Sequence, residues 1–108
     1  MRILIFEDNL MWGPRLVKSA QAFGHQHTLL AKVPNEIPEA DLAIINLGSL
    51  SMPAQDLIPR LKEQGIKILA HAGHKEKELH ALGKDLGCDR LATNSEITNK
   101  LDQILKEF

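Results

Sequence analysis

The feature that most constrains this chain is a short apolar run that ends at two adjacent carboxylates, in residues 2–10. Residues 3–6 are apolar throughout, and Glu7 and Asp8 follow directly. Such a run predicts a strand buried on both faces, as in the centre of a parallel sheet. Open α/β sheets place their ligand sites at the carboxyl ends of such strands. Paired acids there are typical of a divalent-cation site, because Mg²⁺ prefers oxygen ligands.

Length, charge and cysteine content narrow the class of protein. The 108 residues predict a single domain spanning 1–108. A net charge of −1 gives no reason to expect nucleic acid or an anionic membrane as a partner. No apolar stretch approaches the ~20 residues of a membrane span. Cys88 is the single cysteine and cannot form an internal disulfide, so we expect a cytoplasmic location.

Strand patterns alternate with helix patterns along the chain, which predicts βαβ units and a parallel sheet. The predicted strands are residues 3–6, 26–31, 42–47, 66–70 and 90–93, and the predicted helices are residues 14–23, 54–64, 75–86 and 96–108. Pro34 and Pro38 leave room for one helical turn at most between the second and third strands. Pro59 should kink the helix of residues 54–64 or delay its start.

The alternation predicts a flavodoxin-like, doubly wound, five-stranded parallel sheet of order 2-1-3-4-5, with the second helix shortened or absent. In that order the first and third strands are neighbours, so Glu7 and Asp8 should meet Asn46 at one cleft. Gly24 and Gly87 should end two of the helices. A capping box is expected where Thr93 precedes Glu96 by three residues.

Four segments give the chain a resemblance to the receiver domain of two-component response regulators. They are the opening strand with its acids (ILIFEDN), the Gly24-His25 pair after the first helix, the third strand (DLAIINL) and the step LGCD before the fifth strand. The resemblance covers nearly the whole length. It implies a signalling domain with a phospho-accepting aspartate at the end of the third strand.

The resemblance implies a pocket of five positions, and this sequence keeps the family's residue type at two of them. Glu7 and Asp8 match the metal-binding acids, whereas Asn46 stands where the family has its nucleophilic aspartate. Counting fifteen residues back from Gly87 places Ala72 at the conserved Thr/Ser position, with His71 as the alternative.

Two further departures lie after the fifth strand. Asn94 falls at the position of the family's lysine, and Ser95 at that of the proline that follows it. The lost lysine removes the cation that would pair with acceptor and phosphate. Losing the lysine while all three carboxylates of the family's pocket stayed would leave like charges unpaired. Having asparagine at both residue 46 and residue 94 relieves that repulsion.

These substitutions predict a pocket that is locked in one state without phosphate. A carboxamide carries no charge and is a far poorer nucleophile than a carboxylate, so Asn46 should not be phosphorylated. Glu7 and Asp8 should instead accept hydrogen bonds from asparagine side chains or backbone amides. We expect no bound cofactor, and Mg²⁺ held by Glu7 and Asp8 is the alternative.

The resulting prediction is a pseudo-receiver, not an enzyme, that acts independently of phosphorylation by binding another signalling protein, as a monomer or weak homodimer. Two alternatives stay open. One is a receiver that is still phosphorylated at a displaced acceptor, Ser49 or Ser51, with Mg²⁺ on Glu7 and Asp8. The other is a flavodoxin-like small-molecule binder, although the loops lack a glycine-rich phosphate cradle.

Several side chains are candidates for contacts with a partner protein or for additional sites. The resemblance implies a contact face over roughly residues 75–108, and the individual candidates are Trp12, Lys75, Arg90 and Ser95, together with the loop of residues 49–52. Trp12 can alternatively cap the pocket. His71 and His74 are interpreted as solvated loop residues, with a metal site that includes His80, or a pH-sensitive role, as alternatives. Cys88 is interpreted as a buried small side chain, with redox sensing as the alternative.

Overall fold

The structure is a computed structural model that describes residues 1–9 and 11–108. Its strands are β1 (Arg2–Phe6), β2 (Gln26–Leu30), β3 (Leu42–Asn46), β4 (Lys67–Ala72) and β5 (Arg90–Thr93). Its helices are α1 (Trp12–Ala22), α2 (Ala54–Glu63), α3 (Lys77–Asp85), α4 (Asn94–Asn99) and α5 (Leu101–Leu105). No helix in the described ranges is both long and apolar enough to cross a membrane.

The five strands form one parallel sheet in the order β2-β1-β3-β4-β5, which confirms the predicted flavodoxin-like topology. The apolar runs of β1 and β3 lie side by side, with Ile3 opposite Leu42 and Phe6 opposite Ile45. Both strands are buried on both faces because helices cover the two sides of the sheet. The ends of β1 and β3 therefore meet at one edge.

Alternation along the strands divides the core into two hydrophobic clusters. On the side of α2 and α3, Phe6, Ile45 and Ile68 pack with Leu57 and Leu61. The other side, facing α1, α4 and α5, contains these buried residues: Ile3, Ile5, Leu16, Ala20, Leu42, Ile44, Leu69, Ala92, Ile97, Leu101, Ile104 and Leu105. Three of the predicted site residues, Glu7, Asn46 and Asn94, continue the strands of this second face.

No helix forms in residues 31–41, as Pro34 and Pro38 predict. Side chains of α2 hold the segment instead. Arg60 donates to the carbonyls of Pro34 and Asn35 at 3.2 and 2.9 Å, and Gln64 donates to the carbonyl of Ile37 at 3.1 Å. Ile37 is buried against the α2 and α3 cluster, so the segment covers part of the sheet without a helix.

Helix α2 tolerates Pro59 without a delayed start, contrary to one of the two effects we expected. The helix begins at Ala54 and continues through Pro59 to Glu63. Proline cannot donate to the carbonyl of Gln55, four residues earlier. Gln55 and Pro59 are both exposed, so solvent can satisfy that carbonyl.

The final helix is divided, although the sequence predicts a single helix over residues 96–108. Lys100 leaves helical geometry with φ −130° and ψ 21°, and α5 begins at the next residue. Thr98 and Asn99 are weak helix formers, and the Thr98 hydroxyl donates to the carbonyl of Asn94 at 2.8 Å. The predicted capping box at the start of α4 is present between Thr93 and Glu96.

Glycines end two helices as predicted, and one strand is longer than predicted. Gly24 and Gly87 have φ values of +76° and +82°, a conformation that favours glycine. Strand β4 extends through His71 and Ala72 instead of ending at residue 70. The interpretation of His71 as a solvated loop residue is therefore wrong, because His71 lies on a strand and is 1% exposed. His74 is exposed.

Candidate functional site

Four polar side chains form a row at the carboxyl edge of the sheet, on the face covered by α1, α4 and α5. Each continues an alternating apolar series: Ile3 and Ile5 lead to Glu7, Leu42 and Ile44 to Asn46, Leu69 to His71, and Ala92 to Asn94. Side chains two residues apart share a face of a strand, so the fold brings these four together. We call Glu7, Asn46, His71 and Asn94 the polar row.

Glu7 and Asn46 are joined directly. The Glu7 side chain is 0% exposed, and the Asn46 Nδ2 donates to its Oε1 and Oε2 at 3.2 and 3.1 Å. The backbone amide of Asn9 also donates to Oε2 at 3.3 Å. The other end of the carboxamide is engaged too, because Oδ1 accepts from the backbone amide of Gly48 at 2.9 Å. Both ends of the Asn46 amide are thus fixed.

His71 occupies the middle of the polar row. Its Nδ1 lies 2.7 Å from the Oδ1 of Asn94, within hydrogen-bond distance. Its Nε2 lies 3.6 Å from the Oε1 of Glu7, too far for a hydrogen bond, and has no partner among the described residues. The half-buried Trp12 places its ring centroid 6.5 Å from that of His71, at an interplanar angle of 55°. Trp12 therefore covers the row from the start of α1.

Asp8 belongs to a separate cluster at the surface. Its Oδ2 accepts hydrogen bonds from Ser49, at 3.0 Å, and from Ser51. These contacts lower the pKa of Asp8, mainly through the Ser51 hydroxyl, and partial burial opposes the change. Ser49 Oγ in turn accepts from the backbone amide of Met52 at 3.2 Å. Asp8 thus holds the loop after β3 rather than joining Glu7 in one ligand set.

One predicted pocket position has to be corrected. Ala72 lies on the opposite face of β4, where it is 2% exposed and packs in the cluster beneath α2 and α3. The one-residue alternative, His71, is the residue that reaches the polar row. The count from Gly87 misplaces the position because β4 pairs Asn46 with His71, not with Ala72. Neither residue supplies a threonine or serine hydroxyl.

The remaining predicted contact residues lie outside the polar row. Lys75 and Ser95 are exposed. Arg90 is partly buried and engaged within the chain, since its Nε lies 3.2 Å from Glu107 Oε1 and its Nη2 lies 3.9 Å from Glu96 Oε2. Lys75 and Ser95 are therefore available to a partner, whereas Arg90 links β5 to α4 and to Glu107, which follows α5.

The residues present do not form a suitable set of ligands for Mg²⁺. Mg²⁺ requires near-octahedral coordination by oxygens and keeps several waters. Both oxygens of Glu7 already accept hydrogen bonds from Asn46 in a site closed to solvent. The carboxylate of Asp8 accepts hydrogen bonds from two serine hydroxyls. Across residues 1–9 and 11–108 there is no group of three or more His, Cys, Asp or Glu side chains that could hold a metal ion.

Two kinds of phosphoryl acceptor can be compared in this geometry. Asn46 offers only a neutral amide whose oxygen already accepts from Gly48. Ser49 and Ser51 offer hydroxyls that donate to Asp8, so a displaced acceptor would have a carboxylate beside it. Residue 46, at the end of β3, is therefore not a charged carboxylate that could attack a phosphoryl donor.

The fold and its polar edge define a flavodoxin-like α/β domain, and comparison with solved structures identifies the proteins that share this fold. The chemotaxis response regulator CheY4 of Vibrio cholerae has a TM-score of 0.82 and 15% identity, covering 98% of this chain and 96% of that one. The receiver domain of the TMAO respiratory response regulator TorR has a TM-score of 0.77 and 19% identity, with coverages of 98% and 97%.

A third similar structure has the highest identity of these three. The CheY-like receiver domain protein of Methanospirillum hungatei JF-1 has a TM-score of 0.71 and 21% identity, covering 99% of this chain and 98% of that one. No protein-family model matches the sequence, and no curated protein matches it significantly. At these identities the similarity establishes the receiver-like fold.

His71 is the site residue that the sequence analysis named only as the alternative to Ala72. The available signal was its two-residue offset from Leu69, which places both side chains on one face of β4. The predicted strand ends at residue 70, so His71 falls outside its alternation of side chains between the two faces, whereas β4 continues to Ala72.

Proposed function

We propose that this protein is a pseudo-receiver, a signalling domain that binds another protein without being phosphorylated and that is not an enzyme. The observation that carries the proposal is the state of Asn46. The resemblance assigns residue 46 to the position of the acceptor carboxylate, and both ends of its carboxamide are hydrogen-bonded within the chain. A neutral amide held in this way cannot form an acyl phosphate.

The rest of the polar row supports the same function. In place of a lysine and a hydroxyl, the row has Asn94 and His71 hydrogen-bonded to each other at 2.7 Å. The row has no lysine to pair with a phosphoryl group, since the Asn94 amide is uncharged. The receiver-like fold supports a role as a signalling module, and the exposed Lys75 and Ser95 lie on the face over residues 75–108 that we propose as the contact surface.

The test is incubation of the protein with acetyl phosphate and Mg²⁺, followed by intact-mass measurement. We expect no gain of a phosphoryl group. A gain would contradict the proposal, and peptide mapping would then distinguish a displaced acceptor at Ser49 or Ser51 from any other site. The variant S49A/S51A is the matched control, because it removes both hydroxyls and leaves Glu7 and Asn46 unchanged.

A further inference from the structure

The loop that follows β3, residues 48–52, is fastened to the domain at both ends. At its start, the backbone amide of Gly48 donates to Asn46 Oδ1 at 2.9 Å. Further along, Ser49 and Ser51 donate to Asp8, and the backbone amide of Met52 donates to Ser49 Oγ. Met52 itself is 1% exposed, so the end of the loop is anchored in the core. Leu50, at the tip, is 95% exposed.

The attachment of Gly48 to Asn46 depends on the contact between Asn46 and Glu7, and these two side chains would repel each other if residue 46 were an acid. Asn46 directs two N–H···O contacts at the buried Glu7 carboxylate through one nitrogen. A carboxylate at residue 46 would face Glu7 with like charge, in a place where Glu7 has no access to solvent. Such a pair is stabilised when a cation lies between the two groups or when they share a proton. The amide supplies the positive end of a dipole instead.

We infer that Asn46 is a built-in substitute for a bound cation, and that it holds residues 48–52 in one conformation, with Leu50 presented to solvent, in the absence of any ligand. The carboxamide nitrogen donates hydrogen bonds to the two oxygens of Glu7, and its oxygen holds the first amide of the loop. This inference deepens the proposed function, because it explains how the pocket is kept in a single state. Only the statement that this state is permanent rests on the proposed function.

The experiment compares wild type with Asn46→Asp and Asn46→Ala in EDTA and in millimolar Mg²⁺. Hydrogen exchange of the amides of residues 48–52 and the thermal midpoint are the two measurements. Asn35→Asp is the matched control, since Asn35 is exposed and its side chain makes no hydrogen bond within the described residues. We expect wild type and N35D to show protected loop amides and no Mg²⁺-dependent shift of the midpoint.

The two substitutions at residue 46 separate charge from the lost hydrogen bonds. N46D should exchange its loop amides about tenfold faster than wild type in EDTA, and Mg²⁺ should restore protection. N46A should also lose protection, without recovery in Mg²⁺, because it adds no charge. If N46D does not fold in EDTA, N46A alone still tests the attachment.

Two results would overturn the inference. One is a saturable Mg²⁺-dependent shift of the wild-type midpoint, and the other is unchanged loop protection in N46A or in N46D without Mg²⁺. Neither depends on phosphorylation, so a phosphoryl gain of the wild-type protein would refute the proposed function separately.

Discussion

The carboxamide of Asn46 donates to both oxygens of the buried Glu7 carboxylate, at 3.2 and 3.1 Å, across the junction between β1 and β3. Hydrogen bonds to a charged group are among the stronger ones in proteins. Because the Glu7 side chain is 0% exposed, solvent cannot replace them. This single relationship satisfies both oxygens of the buried acid and orients the amide.

The first prediction concerns His71 and uses Trp12, the only tryptophan, as a reporter. His71→Ala should lower the free energy of unfolding by about 2–4 kcal/mol, because it leaves a cavity and removes the partner of Asn94. The same change should shift the fluorescence of Trp12, whose ring contacts His71. Chemical denaturation followed by fluorescence measures both effects.

His74→Ala is the control for His71, because His74 is exposed. It should leave the free energy of unfolding and the Trp12 emission close to those of wild type. Equal effects of the two substitutions would contradict the central placement of His71.

The second prediction concerns the packing of α3 on β5. A Cβ at Gly83 would lie 2.6 Å from Leu91 Cδ2 and 3.1 Å from Leu47 Cδ1. Gly83→Ala should therefore lower the free energy of unfolding by about 1–3 kcal/mol through overpacking, even though alanine is the better helix former. Thermal or denaturant unfolding measures the loss.

The double variant G83A/L91V tests the cause of that loss. Shortening Leu91 removes the nearest obstructing atom, so the double variant should lose less than the sum of the two single changes. Additive losses would show that the contact with Leu91 is not responsible.

The third prediction is a pH dependence at the start of α4. Hydrogen bonds from the backbone and the hydroxyl of Thr93 lower the pKa of Glu96 from 4.5, although desolvation opposes them. A lowered folded pKa contributes stability that is fully present above the unfolded value and is lost as pH falls through the folded value. The stability difference between wild type and E96Q should thus be constant near neutral pH and shrink below about pH 4.5. Denaturant unfolding across this range measures it, and a difference that grows in acid would contradict the capping-box geometry.

The fourth prediction concerns the reactivity of Cys88. Burial raises the pKa of its thiol from 9.0 to about 11, with a further contribution from Asp89. At pH 8 the thiolate should be about a hundredfold scarcer than in the unfolded chain. Alkylation should accordingly be slow in the native protein and fast in denaturant. Equal rates would contradict this assignment and favour the redox-sensing alternative.

The order of the strands could be predicted from the sequence because the buried strands are marked by uninterrupted apolar runs. Residues 3–6 and 42–47 have no helical periodicity, and their central position in a parallel sheet follows from burial on both faces. Once those two strands are neighbours, the meeting of Glu7 with Asn46 is a consequence of the topology. The absence of a helix between β2 and β3 follows equally from Pro34 and Pro38.

Details that depend on one residue of register or on local hydrogen bonds could not be predicted. The choice between His71 and Ala72 depends on where β4 ends, and the apolar pattern stops at Ala70. The break at Lys100 is not marked in the sequence, because the apolar spacing of residues 97, 101, 104 and 105 continues across it. The separation of Glu7 from Asp8 depends on where Ser49 and Ser51 lie in three dimensions.

The most direct test of the central claim is a titration of the wild-type protein with beryllofluoride in the presence of Mg²⁺, followed by the fluorescence of Trp12. Beryllofluoride imitates a phosphoryl group on an aspartate, and Trp12 lies against His71 in the polar row. Because Asn46 offers a neutral amide that is already hydrogen-bonded, we predict no change in emission at any concentration. A saturable, Mg²⁺-dependent change would contradict it.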